Sequence, residues 1–405
     1  MIAIKIGIIK EADIQHKHKT PLTPAQIIQL KKKYPNLEIY VQSSENRCYS
    51  DDEYQYLGIP VVDNLENCNI IFGINKVDVD SLLYNKTYLF FGHLAKGQNK
   101  NIELLQALIK KNIKFIDYEY IKNENNKRVV ALGRWAGIVG AYNALRARGI
   151  RLDSFKLKPA FECHDLDEMW AGLSIIKLRP DLKIVITGEG RAGHGALETL
   201  LEAGITEVSP EEFLTQKFTH PVVTILNAKH YAKHKTLSLF DYNDFKKHPI
   251  DYKSAMLPYC MEADILIACH YWAPDSPLLF TKEQIRDKRF RISVIADISC
   301  DIPGAIPSTL RPTTISTPFY GYNPQTEKEE VAFTNSKNIT VMAIDNLPDE
   351  LPRNSSKTLG DQLINNVFPQ LLTFHDTPKL LDATITKNKK LTEKFNYLQK
   401  FINRL

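Results

Sequence analysis

The sequence predicts an α/β protein with two Rossmann-like, doubly wound parallel-sheet domains. Short apolar, β-branched runs alternate with helical segments from the start of the chain to Tyr120. The same alternation begins again after the strand Lys183–Thr187. A glycine-rich turn at residues 188–193 follows that strand directly and leads into a helical apolar stripe.

Length and composition indicate a soluble chain of two or three domains. The 405 residues are 43% hydrophobic and 24% charged, and the net charge of +5 is spread along the chain. A nucleic-acid binder usually concentrates Lys and Arg on one face, so nucleic acid is not an expected partner. The longest nearly uncharged apolar stretch, Ile265–Ala273, is about half of the ~20 residues that a membrane helix needs.

The cysteines and the first residues predict the compartment. The six cysteines include no C-x-x-C pair, which favours neither a disulfide scaffold nor a zinc site, and no metal is expected. The apolar start of the chain lacks the basic region and the cleavage site of a secretory signal. We therefore expect a reduced, cytoplasmic protein without a membrane partner, and an oligomer stays open.

The first part of the chain alternates predicted strands with capped helices. Thr23 and Pro24 are typical of a helix start, and Ser50 with Glu53 forms a capping-box pattern before a second helix. A third helix is predicted near Asn101–Lys111. The predicted strands are Ile2–Ile9, Leu37–Gln42, Ile70–Ile74, Lys86–Phe91 and Ile113–Tyr118.

The second part repeats this alternation around the glycine-rich turn. Helices are predicted at residues 135–148, ending at Gly149, and at 166–178. Residues 227–262 are long and polar for a connection, which indicates an insertion or a lid, and the Lys-rich tail at 386–405 is expected to be an amphipathic surface helix. The predicted strands are Lys183–Thr187, Val222–Leu226, Ile265–Ala268, Ile292–Ile298 and Asn338–Ile344.

The turn Gly188-Glu-Gly190-Arg-Ala-Gly193 predicts a dinucleotide site. The first glycine permits the tight turn, the second lets the backbone approach a pyrophosphate, and the third lets the helix pack on the strand. The acidic residue expected on the adenine ribose is less clear. Glu207 and Glu211 lie at a suitable distance along the chain, which favours NAD and leaves NADP open.

Polar residues follow several strands of the predicted first domain. Lys19 follows the first strand, Lys76 follows IIFGI, His93 follows YLFFG, and Asp117 and Glu119 follow IKFI. Because parallel strands bring their carboxyl ends to one edge, these side chains are expected on one rim. A lysine and a histidine there suit proton transfer coupled to hydride transfer at a carbon that bears nitrogen.

An ordered series of motifs spans nearly the whole chain: FFGHLAKGQ, IDYEYI, RVVALGRWAGIVGA, ADILIACHYWAPDSPLLFT, VIADISCDIPGAIPST and VMAIDNLPDELPR. The series resembles the alanine dehydrogenase/pyridine-nucleotide transhydrogenase superfamily, and within it the lysine-forming saccharopine dehydrogenases. The resemblance implies a catalytic domain at residues 1–133 plus 350–405 around an NAD-binding Rossmann domain at 134–349, with the two domains separated by an active-site cleft. It also implies oxidation of the amine of saccharopine with NAD⁺ and hydrolysis of the imine to lysine and 2-oxoglutarate.

The resemblance also implies a role for individual residues. Lys76 would deprotonate the amine, and His93 would move protons as water attacks the imine. Lys19 stands where the family usually has Arg, and Ala192 where fungal members have Cys. Substrate binding is implied for Lys19, Lys96, Glu119 and Arg128, and cofactor binding for Gly188, Gly190, Arg191, Gly193, Asp301 and Asn346.

Two further interpretations stay open at the level of the sequence. The first is an alanine dehydrogenase-like enzyme or another imino-acid reductase, which would need one cationic group for one carboxylate. Several cations, Lys19, Lys96 and Arg128, favour a small amino-acid substrate with more than one carboxylate. The second alternative is a non-catalytic NAD(H)-binding module like that of a transhydrogenase.

Overall fold

The computed structural model describes residues 4–12, 17–75, 77–96, 101–373 and 377–402. The chain separates into two compact units. The first unit combines Met1–Leu132 with Pro352–Leu405, and the second is Gly133–Leu351. Each unit has its own eight-stranded sheet, and a two-stranded ribbon is separate from both. Two mostly parallel sheets with intervening helices confirm the predicted α/β class.

No helix in the described ranges has both the length and the apolar character that crossing a membrane requires.

The strands are short, and many are buried on both faces, as is typical of parallel sheets covered by helices. In chain order they are β1 (Ile4–Ile8), β2 (Leu37–Gln42), β3 (Val61–Val62), β4 (Ile70–Phe72), β5 (Thr87–Phe90), β6 (Lys114–Asp117), β7 (Lys183–Thr187), β8 (Thr206–Glu207), β9 (Val222–Leu226), β10 (Ala232–His234), β11 (Tyr252–Ser254), β12 (Ile265–Ala268), β13 (Val294–Asp297), β14 (Tyr320–Asn323), β15 (Lys328–Glu330), β16 (Ile339–Met342), β17 (Thr384–Lys387) and β18 (Lys390–Leu391).

Capping side chains define several helix starts. The predicted boxes at Thr23 with Gln26 and at Ser50 with Glu53 are both formed. The α-helices are α1 (Pro24–Lys33), α2 (Asp51–Tyr56), α3 (Ile102–Lys110), α4 (Gly133–Leu152), α5 (Leu166–Ser174), α6 (Arg191–Glu202), α7 (Pro210–Thr215), α8 (Ala228–Tyr231), α9 (Tyr242–Lys247), α10 (Leu257–Glu262), α11 (Lys282–Ile285), α12 (Pro352–Asn366), α13 (Phe368–Leu371), α14 (Pro378–Asp382) and α15 (Gln399–Ile402).

The first sheet has the order β18-β17-β6-β5-β4-β1-β2-β3. The strands from β3 to β6 pair in parallel, and β17 and β18 add an antiparallel edge. Helices from the carboxyl-terminal part of the chain complete its core, where the rings of Phe72 and Phe368 stack with centroids 5.2 Å apart. The loops after β1, β4, β5 and β6 therefore leave the sheet at one edge.

The predicted helical tail is wrong in its first part. Residues Thr384–Lys387 form β17, which pairs with β6 and buries Thr384 and Ile385. Three successive β-branched residues, Thr-Ile-Thr, favour a strand that packs against a neighbour. Lys389 lies in the tight reversal between β17 and β18, Lys390 begins β18, and the only α-helix described after that point is Gln399–Ile402.

The second sheet has the order β15-β14-β16-β13-β12-β7-β9-β8. Strands β7, β9 and β12 have the bounds that the sequence predicted. The antiparallel hairpin of β14 and β15 was not predicted, because Tyr320–Asn323 contains Gly and Asn, which are uncommon in strands. The helix predicted to end at Gly149 continues to Leu152, since Gly149 packs closely against Phe155 instead of ending the helix.

The polar stretch at residues 227–262 is folded. It contains α8, α9 and α10, and its strands β10 and β11 pair as an antiparallel ribbon. Phe240, Phe245 and Tyr252 form a small aromatic cluster with ring centroids 4.9–5.6 Å apart. The stretch is therefore an insertion with its own small core, and its role as a lid stays a prediction.

Candidate active site

The carboxyl edge of the first sheet brings three of the predicted site residues into one row. His93 lies after β5, Glu119 after β6, and Arg128 nine residues beyond Glu119. Nδ1 of His93 lies 3.4 Å from Oε2 of Glu119, and a guanidinium nitrogen of Arg128 lies 3.2 Å from Oε1 of the same carboxylate. Glu119 is thus the shared anionic partner of an imidazole and a guanidinium.

The row presents its two basic groups to solvent and buries its acid. The side chains of His93 and Arg128 are 53% and 54% exposed, whereas that of Glu119 is 13% exposed. His93 adopts a left-handed backbone conformation with φ of +52°, which is uncommon for a residue with a side chain. The Nδ2 atom of Asn101 donates a 2.8 Å hydrogen bond to the carbonyl oxygen of His93 and holds this loop.

Lys19 is more buried than the sequence suggested. It is 3% exposed, and burial lowers the pKa of its ammonium group to about 7, against the opposing charges of Glu11 and Cys48. The neighbouring Thr20 amide donates a 2.9 Å hydrogen bond to Ser356, whose hydroxyl lies 3.5 Å from the Cys48 thiol. An anionic ligand that reached Lys19 would stabilise its charged form.

Glu11 is a site residue that sequence reasoning missed. Its two carboxylate oxygens accept hydrogen bonds of 2.8 Å and 3.0 Å from the backbone amides of Ile74 and Asn75. These amides belong to the loop after β4 and immediately precede Lys76. The available signal was an acidic residue three positions after the end of β1, a strand of the parallel sheet.

Two predicted residues of the first unit cannot be compared with the geometry. Lys76 lies outside the described residues. Lys96 ends the short 3₁₀ helix Leu94–Lys96, and its side chain lies outside what the structure describes. Their assigned roles stay predictions.

In the second unit the glycine-rich turn joins β7 to α6 as predicted. Gly188 has φ of +94°, which requires glycine. A Cβ on Gly193 would stand 1.8 Å from the carbonyl oxygen of Gly188, so only glycine permits this close approach of helix and turn. Gly190 is the N-cap of α6, and its α-carbon faces open space. The bare backbone at a helix start fits a pyrophosphate group.

A cavity of about 450 Å³ adjoins this turn. Arg134, at the start of α4, forms a two-pronged ion pair with Glu198 on α6, with Nε 2.8 Å from Oε2. Arg191 and His194 also line the cavity. Two arginines beside a helix N-terminus favour an anionic ligand, whereas Glu198, which pairs with Arg134, and Glu189 add two carboxylates to the same cavity.

The strand that pairs with β7 is not the one expected, so the residue predicted to contact the adenine ribose is also different. Strand β9, not β8, pairs with β7, and β8 with Glu207 lies at the edge of the sheet. The residue that follows β9 is Asn227, whose Nδ2 donates a 3.1 Å hydrogen bond to Glu189. Glu207 and Glu211 are therefore not at the strand end where a Rossmann domain contacts the ribose. Lys229 and His230 follow Asn227 closely instead.

Asp301 and Asn346 lie in two loops of the second unit. A buried acid that sequence reasoning missed, Asp297, organises the loop of Asp301. Asp297 accepts hydrogen bonds of 2.6 Å from Ser299 and 2.7 Å from Thr309, and burial raises the pKa of its carboxyl. Asn346 precedes a 3₁₀ turn and donates a hydrogen bond to Asp349.

Within the described ranges, no group of three or more His, Cys, Asp or Glu side chains is arranged to hold a metal ion. The six cysteines are free thiols, and burial raises the pKa of each.

Curated relatives match the chain over most of its length. It is 28% identical over 435 residues to alpha-aminoadipic semialdehyde synthase, mitochondrial, of Mus musculus, which covers 95% of this chain and 46% of that protein. It is 24% identical over 378 residues to saccharopine dehydrogenase (NAD(+), L-lysine-forming) of Yarrowia lipolytica, covering 87% of this chain and 88% of the relative. The chain spans about half the length of the first of these relatives.

Solved structures share the fold. An L-alanine dehydrogenase has a TM-score of 0.62 at 16% identity and covers 98% of this chain and 99% of its own. A transhydrogenase from Sinorhizobium meliloti has a TM-score of 0.63 at 12% identity, covering 96% and 100%. At these identities the likeness concerns the fold alone.

Family models match both parts of the chain. The model of the alanine dehydrogenase/PNT N-terminal domain matches residues 7–139, and that of the C-terminal domain matches residues 177–400. The second match alone covers more than half of the sequence. The chain belongs to the alanine dehydrogenase/PNT family.

Proposed function

We propose that the chain is a nicotinamide-dependent oxidoreductase that acts on the CH–NH group of an amino acid, with saccharopine or a close analogue as substrate. The row of His93, Glu119 and Arg128 at the carboxyl edge of the first sheet carries the proposal. It combines a group that transfers protons with a cation that binds carboxylates. The relatives named for saccharopine and for aminoadipic semialdehyde support the choice of substrate.

The cofactor site is proposed at the turn between β7 and α6. Gly188, Gly190 and Gly193 would leave the backbone amides at the start of α6 open to a pyrophosphate, with Arg191 beside them. A bound nicotinamide ring would accept the hydride that leaves the substrate carbon. Asp301 and Asn346 are the proposed contacts near the nicotinamide ribose.

In this proposal the side chains of the first unit move the protons. Lys76 removes the amine proton, so that the carbon loses a hydride and a C=N bond forms. His93 then takes a proton from the attacking water and returns one to the departing amine, which yields lysine and 2-oxoglutarate. Glu119 keeps the imidazole oriented and stabilises its protonated form. Lys76 must itself be uncharged to act as a base.

The cations of this unit favour a substrate with several carboxylates. Arg128 can pair with one carboxylate, and Lys19 becomes fully charged when a second anion approaches it. Lys96 is a third candidate. An alanine dehydrogenase-like activity remains the second candidate function, since the same proton chemistry serves a substrate with a single carboxylate, although such a substrate would contact fewer of these cations.

For the cofactor we propose NADP(H) in preference to NAD(H). A carboxylate at the end of the strand next to the glycine-rich strand normally binds the two ribose hydroxyls of NAD. Here that position is Asn227, followed by exposed Lys229. A neutral amide and a lysine suit a 2′-phosphate better than a ribose hydroxyl pair, although Glu189 is a nearby negative charge.

The test is a set of parallel assays with purified protein. Saccharopine with NADP⁺ is expected to produce reduced cofactor, with NAD⁺ slower and with L-alanine giving a flat trace. The variant Lys76→Met should lower turnover by roughly 10²–10⁴-fold if the lysine is the general base. Turnover of alanine but not of saccharopine would favour the alanine dehydrogenase-like activity. Tight NADPH binding without turnover of any amino acid would contradict an enzymatic function.

A further inference from the structure

Asp117 is a buried carboxylate directly beneath the proposed proton-transfer group. It is the last residue of β6, it is 0% exposed, and its backbone amide donates a 3.0 Å hydrogen bond to Ala383 on the neighbouring chain segment. Asp117 is not itself a member of the row of His93, Glu119 and Arg128. A charged group in such a place requires a reason, because burying a carboxylate is costly.

One oxygen of this carboxylate fixes the Glu119 loop. Oδ1 of Asp117 accepts a 2.9 Å hydrogen bond from the backbone amide of Glu119 and caps the 3₁₀ turn Tyr118–Tyr120. Asp117 therefore fixes the backbone from which the side chain of Glu119 extends. Glu119 in turn contacts His93 at 3.4 Å.

The same carboxylate lies against the loop that carries His93. A Cβ on Gly92 would stand 3.3 Å from Oδ2 of Asp117 and 2.6 Å from the ring of Phe115, so the backbone before His93 passes directly over the acid. The amide of Gly92 is near enough to favour the charged carboxylate, and it lowers the pKa of the Asp117 carboxyl. Both loops of the His93–Glu119 pair thus meet one side chain.

The charge on Asp117 responds to its neighbours. Burial, with a smaller contribution from the charge of Glu119, raises the pKa of the Asp117 carboxyl to about 7, although the backbone amides and the charge of His93 act in the opposite direction. The titratable groups that interact with it among the described residues are Glu119, His93, Tyr118 and Tyr120. Its Oδ2 atom has no hydrogen-bond partner of normal geometry in that part of the chain.

We propose that Asp117 is the positioning residue of the His93–Glu119 pair. One buried carboxylate fixes the backbone on both sides of the pair and stabilises the positive charge that His93 acquires when it takes a proton. The inference depends on the proposed function in one respect, namely that His93 transfers protons. The closeness of Asp117 to both loops is independent of which substrate the chain uses.

The experiment is an NMR titration of the His93 imidazole in the wild type, in Asp117→Asn and in Glu350→Gln. The Asn variant keeps an oxygen that can accept the Glu119 amide and removes only the charge. We expect its imidazole to titrate about 0.5–1 pH unit lower than in the wild type, because a nearby negative charge is lost. Glu350→Gln removes another buried carboxylate, in the second unit, and should leave the His93 titration unchanged.

Kinetics provide the second readout. The pH dependence of kcat/KM should shift with the imidazole in Asp117→Asn, while the melting temperature does not fall. An unchanged imidazole titration in a folded Asp117→Asn variant overturns the proposal. If that variant does not fold, ¹³C spectra of the wild-type carboxyls decide: linked inflections of Asp117 and His93 support the proposal, and independent ones overturn it.

The two hypotheses can fail separately. Absence of turnover with every amino acid in the wild type rejects the proposed function, whereas the NMR titration still reports whether Asp117 and His93 are coupled. Turnover together with uncoupled titrations rejects the positioning role and leaves the proposed function standing.

Discussion

Glu119 places one carboxylate oxygen 3.4 Å from the Nδ1 atom of His93. The acid is largely buried and the imidazole is half exposed, so the pair offers its proton-carrying side to solvent or to a ligand. The second oxygen of Glu119 contacts Arg128 at 3.2 Å, which couples the charge of the proposed proton-transfer group to that of a proposed substrate-binding group.

The variant Glu119→Gln should lower kcat by about 10–100-fold, because the amide cannot stabilise a protonated imidazole as a carboxylate does. The pH at which His93 titrates should fall in the same variant. Steady-state kinetics over a pH series measure both effects. Glu103→Gln, an exposed residue at the start of α3, is the matched control and should behave like the wild type.

The variant Glu11→Ala should lower kcat by about 10-fold or more with little change in the KM for the cofactor. Two hydrogen bonds to a charged acceptor hold the amides of Ile74 and Asn75, and each contributes about 1.5–3 kcal/mol. Without them the loop before Lys76 loses its anchor. Substitution of the exposed Glu45 by Ala is the control, and equal kcat in the two variants would contradict the anchoring role.

The variant Lys19→Met should stabilise the protein and weaken substrate binding. The pKa of Lys19 falls from 10.5 in the unfolded chain to about 7 in the folded one, so its unfavourable contribution is complete below pH 7 and vanishes as the pH rises through 10.5. The gain in unfolding free energy should be about 1–3 kcal/mol at pH 6 and near zero at pH 10.5.

Denaturant titrations at the two pH values measure that gain. The KM for a substrate with several carboxylates should rise about 10-fold, because a charged hydrogen-bond partner is lost. Lys17→Met, at an exposed position of the same loop, should change neither quantity. A Lys19→Met variant with an unaltered KM would remove this residue from the substrate site.

The variant Lys229→Ala should lower kcat/KM for NADPH by about 10-fold and leave that for NADH nearly unchanged, because a phosphate contact is lost. Exposed Lys233, on β10 of the same insertion, supplies the control variant Lys233→Ala. Glu207→Gln should not alter the preference, since Glu207 is on the edge strand β8. A change of preference in that variant would return the ribose site to Glu207.

The variant Glu350→Gln should raise stability increasingly as the pH rises from 4.5 to 7, with the full gain at pH 7 and above. Burial raises the pKa of the Glu350 carboxyl from 4.5 to about 7, although Asn143 donates a 2.8 Å hydrogen bond to it. The favourable protonated state is complete below pH 4.5, and stability is lost as the pH rises through 7. The variant should therefore gain about 1–3 kcal/mol at pH 8 and nothing at pH 4, as measured by chemical denaturation.

The strands and helices that were predicted correctly are those whose defining residues lie within a short stretch of the sequence. Strands β7, β9 and β12 are short runs of mostly apolar, β-branched residues, and the caps at Thr23 and Ser50 use side chains within three residues. The motif after β7 also contained enough information to predict its turn. In contrast, β17 was missed because its partner β6 lies far away in sequence, and a pairing between distant segments leaves little local signal.

The candidate site was predictable to the same extent. The rim of polar residues followed from parallel strands, and His93 and Glu119 do lie together. The burial of Lys19 and the hydrogen bonds of Glu11 depend on loops that pack in three dimensions, so residue type and spacing could not indicate them. The order of β8 and β9 was likewise invisible, because it depends on which strand inserts beside β7.

The first unit is assembled from both ends of the polypeptide, and β17 covers the edge of β6 that carries Asp117. During synthesis on a ribosome, the second unit is therefore complete before the first can close its sheet. Until residues 384–387 emerge, β6 has an open edge, so a nascent chain released early would contain a complete second unit and an incomplete first unit.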